Sequence, residues 1–278
     1  MNKLKNIKIA FIDIDGTLSN SERKISKENC LAIENAKEKG LIIVLSSGRN
    51  NRYVYNASKY ANASNYIISC NGAEIFDYKN NISINSNKLS KEKINIIWKF
   101  CKENNIGCIL NSRNNRFCNK NHFIAEEDKI LVDNIFDINK DIFQIVTFGY
   151  EYEKMKELEE LINSINLKIA YPSQSFLEKN CSNHHFFFDI TNNDISKGKA
   201  IKELLEHLNL TKDNAIGFGD HINDFDLFDA VGFKIAMGNA NPRLKEKADF
   251  ITLSNDEHGV AHFLNNFIDY GDDIYEEK

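Results

Sequence analysis

The chain opens with an apolar run that ends in two closely spaced carboxylates. Residues 7–12 read Ile-Lys-Ile-Ala-Phe-Ile, and Asp13-Ile14-Asp15-Gly16-Thr17 follows directly. A run of this length that stops at a glycine predicts a buried β-strand leading into a turn. Two carboxylates at the end of such a strand repel each other unless a cation lies between them, and Mg²⁺ is a cation that carboxylate and backbone oxygens hold beside phosphates. One of the two carboxylates could also attack phosphorus as a nucleophile.

Strand-like and helix-like segments alternate over the first 80 residues and again after residue 186. Ser26 is suited to cap the first helix, and Gly40 to end it. The predicted strands are 7–12, 41–45, 66–69, 186–190, 215–218, 233–236 and 249–252, and the predicted helices are 26–39, 50–61, 196–208 and 258–268. Strands that alternate with helices predict a parallel sheet built from βαβ units, which is a Rossmann-like α/β fold with three layers.

Residues 82–185 interrupt this alternation. They contain amphipathic helical patterns over 91–103 and 151–165, among strand-like segments such as 142–146. We interpret them as a separate α+β module inserted into the first domain, which leaves a discontinuous core domain of residues 1–81 and 186–278.

Composition restricts the class of protein. The chain has 278 residues, is 42% hydrophobic and carries a net charge of −5, without a long basic run. A packed core is therefore expected, and nucleic acid is not expected as the main partner. We also expect no membrane partner, since no window approaches the roughly 20 apolar residues of a membrane span. The six cysteines show neither Cys-x-x-Cys nor zinc spacing, and the N-terminus lacks a signal-peptide pattern. These features favour a cytoplasmic protein with free thiols.

Residues that could carry chemistry follow predicted strands or begin a helix. Asp13 and Asp15 follow the first strand, and Ser47 follows the second. A late strand is followed by Gly219-Asp220-His221-Ile222-Asn223-Asp224, and Lys197 begins a helix. Ligands of open α/β sheets bind at the carboxyl ends of the strands, so these side chains could surround one anion.

Each of these features has a simpler explanation when taken alone. Asp13-x-Asp15-Gly16 could begin a calcium-binding EF-hand loop, but position 12 of that loop needs an oxygen ligand and is Lys24 here. Asp13 with Asp15, or Ser47 with Gly48, could form ordinary turns, and Lys197 could be a solvated helix charge. The sequence contains no Gly-x-Gly-x-x-Gly, phosphate loop, His-Glu-x-x-His or Gly-x-Ser-x-Gly motif.

Together and in this order, the motifs resemble those of the haloacid dehalogenase-like hydrolases, and more narrowly of the Cof-type phosphatases with a large cap. The resemblance extends over essentially the whole chain. It rests on Asp13-Ile14-Asp15-Gly16-Thr17-Leu18, Ser47-Gly48-Arg49, Asn71-Gly72-Ala73, Lys197-Gly198, Gly219-Asp220-His221-Ile222-Asn223-Asp224 and Gly259-Val260-Ala261. Ser47 departs slightly from the subgroup, which often has Thr there; either hydroxyl can donate the same hydrogen bond.

The resemblance implies a role for each residue. Asp13 would be the nucleophile and a Mg²⁺ ligand, and Asp15 the general acid and base, with its backbone carbonyl also on the metal. Lys197 would neutralise the phosphoryl charge and hold Asp13. Ser47 and a backbone N–H near Gly48 would bind the phosphoryl group. Asp220 would complete the metal site, with Asn223 and Asp224 beside it. Asn71 would lie near the pocket, where it would help to set substrate specificity.

The function implied by this resemblance is Mg²⁺-dependent hydrolysis of small phosphorylated metabolites, mostly sugar phosphates, through an aspartyl-phosphate. The inserted α+β module of residues 82–185 would be the cap domain, which would close over the substrate and exclude water. A phosphomutase is the alternative enzyme, because it uses the same nucleophile but returns the phosphoryl group to a sugar. The alternative that is not an enzyme is a catalytically silent protein that binds a metabolite. The sequence does not indicate the oligomeric state.

Overall fold

The computed structural model describes residues 4–120, 129–170 and 186–268, and this part of the chain forms two β-sheets and the helices packed on them. The strands are β1 (Ile9–Ile12), β2 (Ile42–Ser46), β3 (Tyr66–Ser69), β4 (Glu74–Asp77), β5 (Ile82–Ser86), β6 (Gly107–Asn111), β7 (Arg116–Cys118), β8 (Lys129–Leu131), β9 (Gln144–Gly149), β10 (Leu167–Ala170), β11 (Phe186–Asn192), β12 (Ala215–Gly219), β13 (Phe233–Ala236) and β14 (Phe250–Ile251). The helices are α1 (Lys27–Glu38), α2 (Asn51–Tyr60), α3 (Lys91–Glu103), α4 (Tyr152–Ser164), α5 (Lys197–His207), α6 (Phe225–Ala230), α7 (Pro242–Lys245) and α8 (Gly259–Phe267).

The larger sheet has the strand order β14-β13-β12-β1-β2-β3-β4-β5. Its first six strands are parallel, and β4 and β5 extend it in antiparallel fashion. Every residue of β1 and β12 is buried, so both faces of the sheet centre are covered. Continuous apolar strands of this kind belong to a sheet between two helical layers. The predicted Rossmann-like α/β core is therefore confirmed.

The helices of this core begin and end where the sequence indicates. Ser26 caps α1, since its side chain accepts a hydrogen bond from the N–H of Asn29. Gly40, just after α1, has a φ of +91°, a left-handed conformation that suits glycine. Helix α1 packs against α8, and α5 packs against α6. The predicted helices 26–39, 50–61, 196–208 and 258–268 are thus confirmed to within one or two residues.

The smaller sheet has the order β10-β11-β9-β6-β7-β8 and is antiparallel except for the pair β7–β8. Helices α3 and α4 cover one face with an apolar core that includes Leu110 and Ile145. The alternate residues of the strands lie on the other face, where an apolar cluster contains Ile109, Phe148 and Phe187. We call the second sheet with its two helices the cap.

Two strands lie in the opposite sheet from the one predicted. Residues 82–86, assigned to the inserted module, form β5 and pair with β4 of the larger sheet. Residues 186–192, assigned to the core, form β11 and pair with β9 and β10 of the smaller sheet. The run Phe186-Phe187-Phe188 suggested a buried parallel strand, but this antiparallel sheet is covered on both faces and so has the same pattern. The predicted end of the cap at residue 185 lies outside the described residues.

Five cysteines of the described segments are free: Cys30, Cys70, Cys101, Cys108 and Cys118. Cys181 lies outside those segments. In the part of the chain that the structure describes, no helix is both long enough and apolar enough to span a bilayer.

Candidate active site

Parallel pairing brings the ends of β1, β2 and β12 to one edge of the larger sheet. Ile12, the last residue of β1, is in register with Leu45 of β2 and Phe218 of β12. The chain therefore leaves these three strands side by side, and Asp13, Ser47 and Asp220 follow within two residues. Sequence reasoning anticipated this grouping because strand direction in βαβ units is uniform.

Lys197 joins the group from the first residue of α5. Its side chain is almost fully buried, at 2% exposure. The Nζ donates hydrogen bonds to Oδ1 of Asp13 at 2.5 Å and to Oδ1 of Asp224 at 2.7 Å. Burial disfavours the charged ammonium, but the two carboxylates raise its pKa, so Lys197 is a buried cation.

Three carboxylates surround this ammonium group. Oxygen atoms of Asp13, Asp220 and Asp224 lie within 4.8 Å of one another. Asp220 Oδ1 accepts a hydrogen bond from Thr17 Oγ1 at 3.1 Å, and Asp224 Oδ2 accepts from the N–H groups of Asp220 and His221. The neighbouring groups thus hold the carboxylates at a fixed spacing.

The negative charge of this cluster exceeds what one lysine balances. Burial, together with the charges of Asp224 and Asp15, raises the pKa of Asp13 to about 7 in spite of Lys197. Burial, followed by the charges of Asp13 and Asp224, also raises the pKa of Asp220 well above its usual range. Carboxylate oxygens held close together with an excess of negative charge fit a hard divalent cation such as Mg²⁺.

Two glycines allow the acidic residues to approach the strand ends. Gly16 has a φ of +84°, and a Cβ there would overlap the carboxylate of Asp220. A Cβ on Gly219 would lie 2.8 Å from Oδ2 of Asp224. Any other residue at either position would displace a carboxylate of the cluster.

Asp15 lies beside this cluster but faces a different partner. Arg49 donates two hydrogen bonds to its carboxylate, from Nε to Oδ2 at 2.9 Å and from Nη2 to Oδ1 at 2.7 Å. Burial alone would raise the pKa of Asp15, but Arg49 holds it below its usual value. The Asp15 carboxylate is not part of the acidic cluster, so a metal contact of Asp15 rests on the expected backbone carbonyl. The motif Ser47-Gly48-Arg49 by itself does not indicate this role of Arg49.

Ser47 and Gly48 form a loop that contacts the end of β3. The carbonyl of Ser47 accepts a hydrogen bond from the N–H of Asn71 at 3.1 Å, and its Oγ accepts from the N–H of Arg49 at 3.2 Å. Asn71 has a left-handed φ of 57°, and its side-chain Oδ1 would be 2.8 Å from a Cβ on Gly48. Asn71 thus lies against the loop formed by Ser47 and Gly48. Its buried Nδ2 has no hydrogen-bond partner among the described residues.

Asn223 lies in the turn after β12 and is half-buried. Its side chain is hydrogen-bonded to His221. Asn223 is thus hydrogen-bonded within its own turn, and its proposed contact with the phosphoryl group depends on a bound substrate.

The cap contributes residues that sequence reasoning did not assign. Gln144 of β9 donates a hydrogen bond from Nε2 to the carbonyl of Gly48 at 2.9 Å. Asp189 of β11 interacts electrostatically with Arg49 and Arg116; burial raises its pKa to about 7 although both guanidinium groups oppose this. No local motif marks either residue, since each reaches the site only through the position of the cap sheet.

Comparison with known proteins was consistent with this geometry. A family model described as haloacid dehalogenase-like hydrolase matches residues 10–264. The 5-amino-6-(5-phospho-D-ribitylamino)uracil phosphatase YcsE of Bacillus subtilis is 30% identical over 271 residues, which cover 95% of this chain and 96% of the relative. A phosphoglycolate phosphatase of Archaeoglobus fulgidus is 27% identical and covers 92% and 95% of the two chains.

Solved structures give the same result at the level of the fold. A haloacid dehalogenase-like hydrolase from Bacteroides thetaiotaomicron superposes with a TM-score of 0.82 at 23% identity, over 93% of this chain and 98% of the other. A subclass IIB sugar phosphatase superposes with a TM-score of 0.75 at 26% identity, over 94% and 98% of the two chains.

Proposed function

The chain belongs to the haloacid dehalogenase-like hydrolases and is a phosphatase, and on that premise we propose that it hydrolyses small phosphorylated metabolites through an aspartyl-phosphate on Asp13, with Mg²⁺ as cofactor. The observation that carries this proposal is the pairing of buried Lys197 with Asp13 inside the acidic cluster. An ammonium group and a cation-binding cluster around one carboxylate suit the transfer of a dianionic phosphoryl group, which depends on positioning and charge stabilisation.

In the first step, an oxygen of Asp13 attacks phosphorus and the bond from phosphorus to the leaving alcohol breaks. Asp15 gives a proton to the alcohol oxygen. In the second step, water attacks the phosphorus of the aspartyl-phosphate and Asp15 takes a proton from that water. The bond from phosphorus to the Asp13 oxygen breaks, inorganic phosphate leaves, and the carboxylate of Asp13 is regenerated. The contact with Arg49 lowers the pKa of Asp15 and keeps it ionised, which is the form that can accept a proton in the second step. In the first step Asp15 must donate a proton, and an ionised carboxylate has no proton to give. The contact between Asp15 and Arg49 must therefore open before that step.

The carboxylates of Asp13, Asp220 and Asp224, with the backbone carbonyl of Asp15, would hold the Mg²⁺. When bound, the ion neutralises charge on the phosphoryl oxygens. Lys197 lowers the pKa of Asp13 against the effect of burial, and it places a positive charge beside that carboxylate. Ser47 and the N–H of Gly48 bind the phosphoryl group, with Asn71 and Asn223 at the edge of the same site.

We take sugar phosphates as the leading substrate class. Support comes from the names of two similar proteins: one is a sugar phosphatase, and another acts on a 5-phospho-D-ribitylamino compound.

We further propose that the cap closes over this substrate and excludes water. We place the boundaries of the cap near residues 87 and 192 rather than 82 and 185, because β5 pairs in the larger sheet and β11 in the smaller one. The cysteines that the structure describes are free thiols, and this supports a cytoplasmic location.

The test is phosphate release with Mg²⁺ from a panel of sugar phosphates, nucleotides and cofactor phosphates, together with a simple aryl phosphate. We expect Asp13→Asn to lower the rate by about 10⁴-fold or more, because the nucleophile is removed. The same change at exposed Asp229 is the control and should leave the rate unchanged. Full activity of Asp13→Asn would contradict the proposal. An isomerised sugar phosphate without free phosphate would identify a mutase instead.

A further inference from the structure

A chain of side-chain hydrogen bonds connects the cap to the loop at Gly48. Arg116 of β7 donates from Nε to Oδ1 of Asn111 at 3.1 Å, and Asn111 donates from Nδ2 to Oε1 of Gln144 at 2.7 Å. Gln144 then donates from Nε2 to the carbonyl oxygen of Gly48 at 2.9 Å. Asn111 and Gln144 are 2% and 1% exposed, so water does not replace these bonds.

The direction of this chain of hydrogen bonds is determined by its two ends. The guanidinium group of Arg116 can only donate, and the carbonyl of Gly48 can only accept. The amide of Asn111 must therefore present its oxygen to Arg116, and the amide of Gln144 must present its nitrogen to Gly48. Reversing either amide would leave buried polar atoms without a partner, which costs about 1–3 kcal/mol for each group.

The cap sheet places these residues in one row. Asn111 lies directly opposite Gln144 on one side and Arg116 on the other. Leu110 and Ile145, the next residues along these strands, belong to the apolar core under the cap helices. Since successive residues of a strand face opposite sides of a sheet, the row lies on the face away from those helices.

At the other end, the row determines the orientation of one peptide group in the core domain. The carbonyl of the Gly48–Arg49 peptide accepts from Gln144, and its N–H donates to Ser47 Oγ at 3.2 Å. Because a peptide group is planar, these two bonds together orient it. With a lone pair of Ser47 Oγ occupied by this N–H, the hydroxyl proton is directed elsewhere and can be donated to a phosphoryl oxygen.

We propose that Gln144 is a positioning residue through which the cap orients the phosphate-binding loop at Ser47 and Gly48. This inference rests on the proposed function of that loop. It means that affinity for the phosphoryl group depends on a cap residue whatever the leaving group is. Because such coupling is reciprocal, binding of the phosphoryl group also favours the position of the cap in which Gln144 contacts Gly48.

The experiment compares Gln144→Leu with Thr147→Val in the whole protein. Thr147 lies on the same strand, its Oγ1 is buried without a hydrogen-bond partner among the described residues, and valine has its shape. The dissociation constant of inorganic phosphate is measured by calorimetry with Mg²⁺, and kcat/KM is measured for an aryl phosphate and a sugar phosphate. We expect Gln144→Leu to weaken phosphate binding and to lower both kcat/KM values by a similar factor of about 3 to 10, as for one lost hydrogen bond. Thr147→Val should match the wild type.

Gln144→Glu supplies a second readout, the pH dependence of kcat/KM, which should not change if Gln144 has a purely structural role. An ionised glutamate cannot donate to Gly48, whereas a protonated one can donate there and still accept from Asn111. The kcat/KM of this variant relative to the wild type should therefore rise as the pH falls from about 8 to about 5.5. It also tests the inference if Gln144→Leu fails to fold.

Unchanged phosphate affinity in Gln144→Leu would overturn the inference. A loss confined to the sugar phosphate would do so too, because Gln144 would then contact the leaving group. If the kcat/KM of Gln144→Glu relative to the wild type is independent of pH, this would also count against the inference. If the wild type releases no phosphate from any substrate, the proposed function fails, and the phosphate dissociation constants still decide the role of Gln144.

Discussion

The molecule contains two buried clusters of charge that differ in their balance. In the active-site cluster, the single ammonium of Lys197 faces the carboxylates of Asp13, Asp220 and Asp224. Where the cap meets the core, Glu74 of β4 pairs with Arg113, which follows β6, at 2.5 Å. The first cluster has an excess of negative charge, while the second has one charge of each sign.

The balanced pair is completed by further contacts. Glu74 is fully buried, and its Oε2 accepts a hydrogen bond from Nδ2 of Asn51 at 2.8 Å. The guanidinium group of Arg113 lies 4.2 Å from the ring centroid of Phe76. Burial raises the pKa of Glu74, and Arg113 opposes this rise. Both charges of the Glu74–Arg113 pair thus have a partner within the protein.

The difference between the two clusters separates structural charge from functional charge. A buried pair with all its hydrogen bonds made can join two parts of a fold, and its loss destabilises the fold. A buried cluster with unbalanced charge costs stability unless a cation binds, and such a cost is commonly found where function requires it. Removing a charge should therefore have opposite effects on stability at the two places.

Arg113→Met should give the largest change in stability. It leaves Glu74 buried without a cation, which costs about 3–5 kcal/mol. Without Arg113, the pKa of Glu74 rises further above that of the unfolded chain, so the folded state binds a proton more tightly and stability falls as the pH rises through this window. The loss should be greatest near pH 8 and smaller near pH 5.5 in denaturant unfolding. The same change at exposed Arg243 should cost little at either pH.

Asp220→Asn should separate activity from stability. Loss of one carboxylate ligand should lower phosphate release by about 10²–10³-fold at saturating Mg²⁺. In the presence of a chelator, the thermal midpoint should rise, because repulsion from Asp13 and Asp224 is reduced. Wild-type protein should be stabilised by added Mg²⁺, by about 2.7 kcal/mol at 100 times the dissociation constant, and the variant much less so. A lower midpoint for Asp220→Asn in chelator would remove the contrast between the two clusters.

Asn51→Ala tests the weakest contact of the balanced pair. It removes the hydrogen bond from Nδ2 to Glu74 while the bond from Arg113 remains. A hydrogen bond to a charged group contributes about 1.5–3 kcal/mol, and we expect the lower end of that range because Glu74 keeps its cation. Combined with Arg113→Met, the two losses should not add, since both act on the same carboxylate. Simple additivity in unfolding experiments would mean that the contacts are independent.

The arrangement of the core could be predicted because it follows from short segments. The apolar runs before Asp13, Ser47 and Asp220 form neighbouring parallel strands, and parallel strands end at the same edge of a sheet. The contacts between the cap and the larger sheet could not be predicted. Gln144 reaches Gly48, and Arg113 reaches Glu74, only because the cap sheet faces the core, and no spacing in the sequence encodes that orientation.

The sequence by itself determined the α/β class, the order of the core elements and the group of residues at the strand ends. Local hydrophobic pattern and the direction of βαβ units are sufficient for these features. Only the tertiary structure decided that β5 belongs to the core sheet and β11 to the cap, since an exposed edge strand lacks an apolar pattern and a doubly covered antiparallel strand resembles a parallel one. It also decided that Asp15 faces Arg49 and that Gln144 holds the loop at Gly48, because those contacts depend on how separate elements pack together.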